Sequence, residues 1–205
     1  MSLRLSKYLK DLRTEAHRFE RTDINNNVST SFWGRNQRRI ICILPSLVLL
    51  LLLREGFNSD FVAYASTVLS ILIGLFTTAI IFILDKYQPI DNPKPNSKEK
   101  LWDTQAYNYT KQFSFITGYN IVLCVFALVL LSLNVLFEEP FSVDIYQYTL
   151  CLKNIDMKSV CNFLIIALVV AQRFLVIYWL ASIIYNTLYV ISSMVKYMTV
   201  KIDRK

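Results

Sequence analysis

Apolar residues along this chain gather into four long runs separated by polar stretches. The runs are Ile40–Leu53, Phe61–Leu84, Ser114–Phe137 and Asn162–Val195, of 14, 24, 24 and 34 residues. A helix that crosses a bilayer needs about 17–25 apolar residues, a length that core helices of water-soluble domains rarely reach. The pattern therefore predicts an all-α fold, a polytopic transmembrane four-helix bundle with spans near 40–57, 61–84, 114–137 and 163–184. The first run is the short one. Fourteen residues rise about 21 Å against a hydrocarbon core of about 30 Å. The first span is accordingly extended to Phe57, with Arg54 snorkelling outward and Pro45 kinking the helix. A re-entrant segment is the rival reading. No Ala-x-Ala-like site follows this run, so a cleaved leader is not expected.

Two polar stretches carry a helical signal of their own. Within residues 1–39, Leu5, Tyr8, Leu9, Leu12, Ala16 and Phe19 recur at three- and four-residue steps, and Arg4, Lys7, Lys10, Arg13, Arg18 and Arg21 fall elsewhere. That spacing predicts a cationic amphipathic helix of about twenty residues, ended by Asn25-Asn26-Asn27. It would lie along an anionic leaflet, pack beneath the bundle or dock a cytosolic partner. Further on, Pro89, Pro93 and Pro95 exclude regular helix, whereas Ser97–Phe113 contains neither proline nor glycine. One helix from Ser97 to Phe137 is expected, its 97–113 extension projecting about 25 Å from the bilayer. Trp102, Tyr107, Tyr109 and Phe113 on that extension are candidates for contact with a partner or a second subunit. An interfacial aromatic belt also accounts for Tyr109 and Phe113.

Charge orients the chain. Lys and Arg number 9, 1, 5, 2 and 4 in residues 1–39, 54–60, 85–113, 138–161 and 196–205. Short basic segments stay on the cytoplasmic side, so the alternation places both termini in the cytoplasm. These water-facing pieces have 39, 7, 29, 24 and 10 residues. None reaches the ~40 residues below which chains seldom fold unaided, which excludes a separate soluble catalytic domain. The chain reads as a basic cytoplasmic arm, 1–39, followed by a transmembrane domain, 40–205.

Within the runs, Ser66, Ser70, Gly74 and Thr78 form a stripe of small residues that permits close helix approach. Thr117, Asn120, Cys124, Ala127, Leu131 and Asn134 alternate three and four residues apart, the spacing of a left-handed helix seam. Arg173 is the one charged residue inside any run. Placed near the bilayer centre by a 163–184 span, it costs roughly 2.5–3.5 kcal/mol and must face protein or water. Its expected partners are Asn120, Asn134, Ser70 or its neighbour Gln172. It serves either as a structural tie or as part of an arginine ring lining a pore in an oligomer. Cys151 and Cys161 would share an oxidising compartment in which a disulfide is chemically allowed. Cys42 and Cys124 read as core residues, and His17 as a solvated residue on the arm.

Chemistry is otherwise sparse. No Cys-x-x-Cys, glycine-rich phosphate loop or intramembrane carboxylate occurs, so no metal, no cofactor and no enzyme activity is expected. Proton-coupled transport lacks its usual acidic residue. The remaining readings are a membrane subunit that anchors or senses for a cytosolic partner, an oligomeric pore or depolarising effector, and a small structural or insertion-assisting protein. Lipid, a second copy and a cytosolic protein are the expected partners. Direct nucleic-acid binding by the arm ranks last, because lipid phosphate competes for the same cations at close range.

The layout of about 200 residues, four spans, two cytoplasmic ends and no catalytic motif resembles the small four-span membrane proteins of bacterial anti-phage islands. It looks most like the membrane subunits of Kiwa defence systems. The resemblance implies an inner-membrane component that responds to phage attack at the envelope and works with a cytosolic, DNA-associated partner. The membrane accessories of RNA-targeting CRISPR loci are similar in outline and imply a pore instead. No diagnostic motif accompanies either resemblance, and no residue role is carried over.

Overall fold

The computed structural model describes residues 5–22, 25, 27–28, 32–53, 56–86, 97–137, 141, 144 and 157–202. They form five helices: α1 (Leu5–Phe19), α2 (Phe32–Leu52), α3 (Ser59–Lys86), α4 (Ser97–Leu136) and α5 (Met157–Ile202). Among the described residues there is no strand, only an isolated bridge between Thr22 and Val28. The helix boundaries have local causes. Asn58 caps α3 by accepting the Phe61 N–H on its side-chain oxygen at 2.7 Å, and Asp60 in the first turn complements the helix dipole. α2 stops at Leu52, four residues before Gly56, whose φ of 96° no L-residue adopts easily.

Among the described residues, three helices are long and apolar enough to cross a membrane: Ser59–Asp85, Ser97–Leu136 and Val160–Val195. Only 11% of the most apolar stretch of α3 is buried, and 33% and 28% of those of α4 and α5. So much outward apolar surface is stable only against an apolar solvent, which is what a multi-pass membrane protein has. α2 differs from the expected first span. Its first turns carry Arg35, Arg38 and Arg39, so only Ile40–Leu52, 13 residues, is uninterrupted apolar helix. The expected extension to Phe57 does not form, because Gly56–Asn58 is not helical. For α5 the apolar stretch is 36 residues, so length alone does not select 163–184 within it.

The chain divides into two compact units. One comprises 1–37, 72–122 and 184–205, the other 38–71, 123–183. In the first, α4 is central: Phe19, Tyr109, Phe113, Ile116 and Val190 form its core, with Ala79, Ile80, Ile83, Phe115, Tyr189 and Met194 against it. In the second, buried positions are Val62 and Leu69 of α3, Leu123, Cys124, Ala127 and Leu131 of α4, and Val169, Val176, Ile177 and Ile183 of α5. α2 contributes Cys42 and Ser46, both fully buried. Two small side chains one turn apart let that helix approach closely, and the Ser46 hydroxyl is satisfied by Cys42 O at 2.6 Å.

Along α4 Thr117, Asn120, Cys124, Ala127 and Leu131 of the expected seam are fully buried, whereas its last member, Asn134, is only half-buried. The small-residue stripe of α3 behaves otherwise. Ser70, Gly74 and Thr78 are exposed, Ser66 is only half-buried, and α3 instead buries Val62, Leu69 and Phe76. The large side chains seven residues apart remove more area than the small ones could. The stripe's hydroxyls turn back to their own helix, Ser70 to Ser66 O and Thr78 to Gly74 O.

Overpacking should therefore discriminate between the two stripes. Ala127→Leu is expected to lower unfolding free energy by about 1–3 kcal/mol. Gly74→Leu should leave it within about 0.5 kcal/mol, because a Cβ at Gly74 meets nothing within 4 Å. Thermal unfolding of both variants in one detergent checks this.

Candidate functional site

The buried polar side chains share a chemical habit: several donate from one helix to main-chain carbonyls at the end of another. Helix C-termini leave carbonyls without intrahelical partners, and in an apolar solvent each costs several kcal/mol unless something satisfies it. Two such ties occur among the described residues, and a third joins two side-chain amides.

The first ties down α1. Gln112 of α4, 4% exposed, places its amide nitrogen 2.7 Å from Phe19 O, 3.0 Å from Thr22 O and 2.6 Å from the Tyr189 hydroxyl of α5. Tyr189 in turn donates to Phe19 O at 3.2 Å. The α1 terminus is thus gripped through its backbone by two helices. Beside the grip, Ala16 and Phe19 are buried, and the Phe19 ring meets Phe115 at 5.7 Å. The Gln105 amide also reaches Asn25 Oδ1 at 2.8 Å. The result is one surface built from α1 and the 97–113 portion of α4. Its outer side presents Lys7, Lys10, Arg13 and Arg18, all exposed, with Leu5, Tyr8, Leu101 and Tyr107. Trp102 is half-buried, while Tyr109 and Phe113 are 1% and 3% exposed. Those two are core, neither docking residues nor an aromatic belt, since packing by α1 and α5 covers their side of α4. Arg4 lies outside the described residues. His17 is less solvated than expected: its Nδ1 is 3.2 Å from Glu20 Oε2 and its ring stands edge-on to Tyr119.

The second tie is between amides. Asn186 Nδ2 donates to Asn120 Oδ1 at 2.9 Å, both residues fully buried, joining α4 to α5.

The third is Arg173, fully buried in the other unit. Its Nη2 donates to Phe141 O at 2.9 Å and its Nη1 to Leu53 O at 3.4 Å. Leu53 immediately follows α2, so the cation sits at the negative end of that helix, and Phe141 lies five residues beyond α4. Asp144 adds an attractive charge. Gly56 makes the approach feasible. A Cβ there would stand 2.7 Å from Phe141 O and 2.8 Å from Arg173 Nη2, closer than real atoms come.

This corrects the expected surroundings of Arg173. The long side chain carries its charge to the main-chain carbonyls of Leu53 and Phe141. The expected side-chain partners bond elsewhere: Asn120 to Asn186, Asn134 to Leu130 O and Leu131 O of its own helix, Ser70 to Ser66 O, and Gln172 to Leu130 O at 3.0 Å. Main-chain carbonyls take the place of those amides because Leu53 and Phe141 bring their oxygens to the same guanidinium. Leu53, Gly56, Phe141 and Asp144 escaped sequence reading, as did Gln112 and Tyr189. Only Gly56, a lone glycine beside a span, carried any local signal. Cys161 is exposed with a free thiol among the described residues; Cys151, the disulfide partner considered from the sequence, lies outside them. Cys42 and Cys124 are buried.

Two outcomes follow. Gly56→Ala should cost about 1–3 kcal/mol and Arg173→Leu about 2–4 kcal/mol, with the double variant far short of the sum because both break one contact; equilibrium unfolding in mixed micelles measures all three. Gln112→Leu combined with Tyr189→Phe should release α1 without unfolding the remainder, read as faster tryptic cleavage after Arg18 and Arg21. Compared with protein-family models, curated proteins and solved structures, this chain matches none.

Proposed function

We propose that this chain is a non-enzymatic integral membrane subunit of a bacterial anti-phage defence system. It senses perturbation of the envelope and anchors or activates a cytosolic, DNA-associated partner. In this reading it spans the inner membrane four times, with α2 as the first span and both termini in the cytoplasm. The shortness of α2 is accommodated by its ends. Arg35, Arg38 and Arg39 belong at the headgroup level, and Arg173 satisfies the carbonyl of Leu53 at the other end, where a short helix would otherwise leave acceptors in lipid.

One observation carries the partner-docking role: the backbone grip of Gln112 and Tyr189 on α1. It joins a cationic helix and the 97–113 segment into a single surface with exposed Leu101 and Tyr107. A helix with only two fully enclosed side chains, Ala16 and Phe19, needs such a grip to stay seated, and a seated helix presents a defined face to a partner. The pore alternative draws no comparable support. A pore-lining arginine must open onto the conduction path, whereas Arg173 is enclosed and bonded within its own unit. Self-association has a ready surface in the outward stripe of Ser70, Gly74 and Thr78.

Deleting residues 2–22 should abolish co-purification of the cytosolic partner from native membranes while leaving membrane insertion intact. Undiminished co-purification would refute the docking role.

A further inference from the structure

We infer that α1 and the adjoining part of α4 form a binding surface for anionic phospholipid headgroups, with Lys7, Lys10, Arg13 and Lys111 as its charge. The inference rests on the membrane reading above, though not on the existence of a protein partner.

Depth is the first argument. α1 contacts α4 where that helix turns apolar at Ser114. Its terminus is held by Gln112, Phe19 meets Phe115, Leu12 Cδ1 lies 3.6 Å from the Cβ position of Gly118, and His17 meets Tyr119. At 1.5 Å per residue these contacts run from about 3 Å before Ser114 to about 7 Å beyond it. That interval is the boundary between headgroups and acyl chains, where interfacial helices settle.

Charge is the second. On a helical projection Arg13, Lys10, Lys7 and Arg18 share one arc, opposite the side that buries Ala16 and Phe19. Arg18 pairs with Glu15 at 3.1 Å, and Glu20 is taken by His17. Lys7, Lys10, Arg13 and Lys111 have no carboxylate partner among the described residues. Lys111 brings a cation from a different helix to the C-terminal end of α1: its Nζ and the Arg18 guanidinium lie 5.9 and 4.9 Å from the Phe19 ring centroid. Unpaired cations at that depth meet lipid phosphate before any soluble anion.

The apolar positions settle which anion. Leu5 and Tyr8 continue the apolar side of α1 but are 63% and 62% exposed. A polyphosphate chain offers nothing to such groups, whereas a phospholipid offers phosphate to the lysines and acyl chain to Leu5 and Tyr8. The surface matches a lipid, with nucleic acid as the excluded case.

The test is native mass spectrometry of the full chain in detergent with equimolar phosphatidylglycerol and phosphatidylcholine. The wild type should retain phosphatidylglycerol preferentially. K7Q/K10Q/R13Q/K111Q should retain at least about tenfold less, and K7R/K10R/R13K/K111R should behave as wild type. If the neutralised quadruple variant fails to fold, Lys111→Gln alone should still show reduced retention, since its side chain supports only the cation–π contact. Equal retention of the two lipids by the wild type would overturn the inference, as would undiminished phosphatidylglycerol in Lys111→Gln or retention of an oligonucleotide in preference to the lipid. Because no partner enters this measurement, its failure leaves the pull-down result standing, and the reverse holds too.

Discussion

Helices dissolved in lipid gain little from hiding apolar side chains against one another, because the solvent is as apolar as they are. Association then depends on packing and on the few groups that lipid cannot satisfy. Here those groups are mainly carbonyl oxygens at helix ends. Arg173 reaches that of Leu53, just past α2, together with Phe141 O in one unit, and Gln112 with Tyr189 holds two in the other. In both places a side chain from the middle of a long helix completes the terminus of a shorter one. The long helices α4 and α5 thereby act as the scaffold, and the short α1 and α2 are held by their ends.

This arrangement explains which features could be read from the sequence. The buried stripe of α4 was legible, since Thr117, Asn120, Cys124, Ala127 and Leu131 recur with the period of a helix seam. That Arg173 must be enclosed was legible as well, from the cost of a lone charge in an apolar run. Its partners were not, because a main-chain carbonyl belongs to every residue and leaves no mark on composition. The same blindness hid the grip on α1: Gln112 is one ordinary polar residue among many before the third apolar run.

Other departures have their own causes. Small residues every fourth position license close packing without demanding it, so the Ser66–Thr78 stripe of α3 was a permission that the fold does not use within one chain. A left-handed glycine after α2 accompanies its stop at Leu52, short of the extension to Phe57, which a hydropathy run cannot foresee. α5 shows the opposite ambiguity: an apolar stretch of 36 residues exceeds any single crossing, so its register had to come from contacts such as Gln172 with Leu130.

The attachment of α1 through backbone oxygens has an evolutionary reach. A latch that grasps carbonyls is indifferent to the identities of the side chains on the helix it holds. Ala16, Phe19, Leu12 and His17 pack against the rest of the unit, but the outward residues of α1 take no part in the latch, and its outer face can be rewritten while the latch is kept.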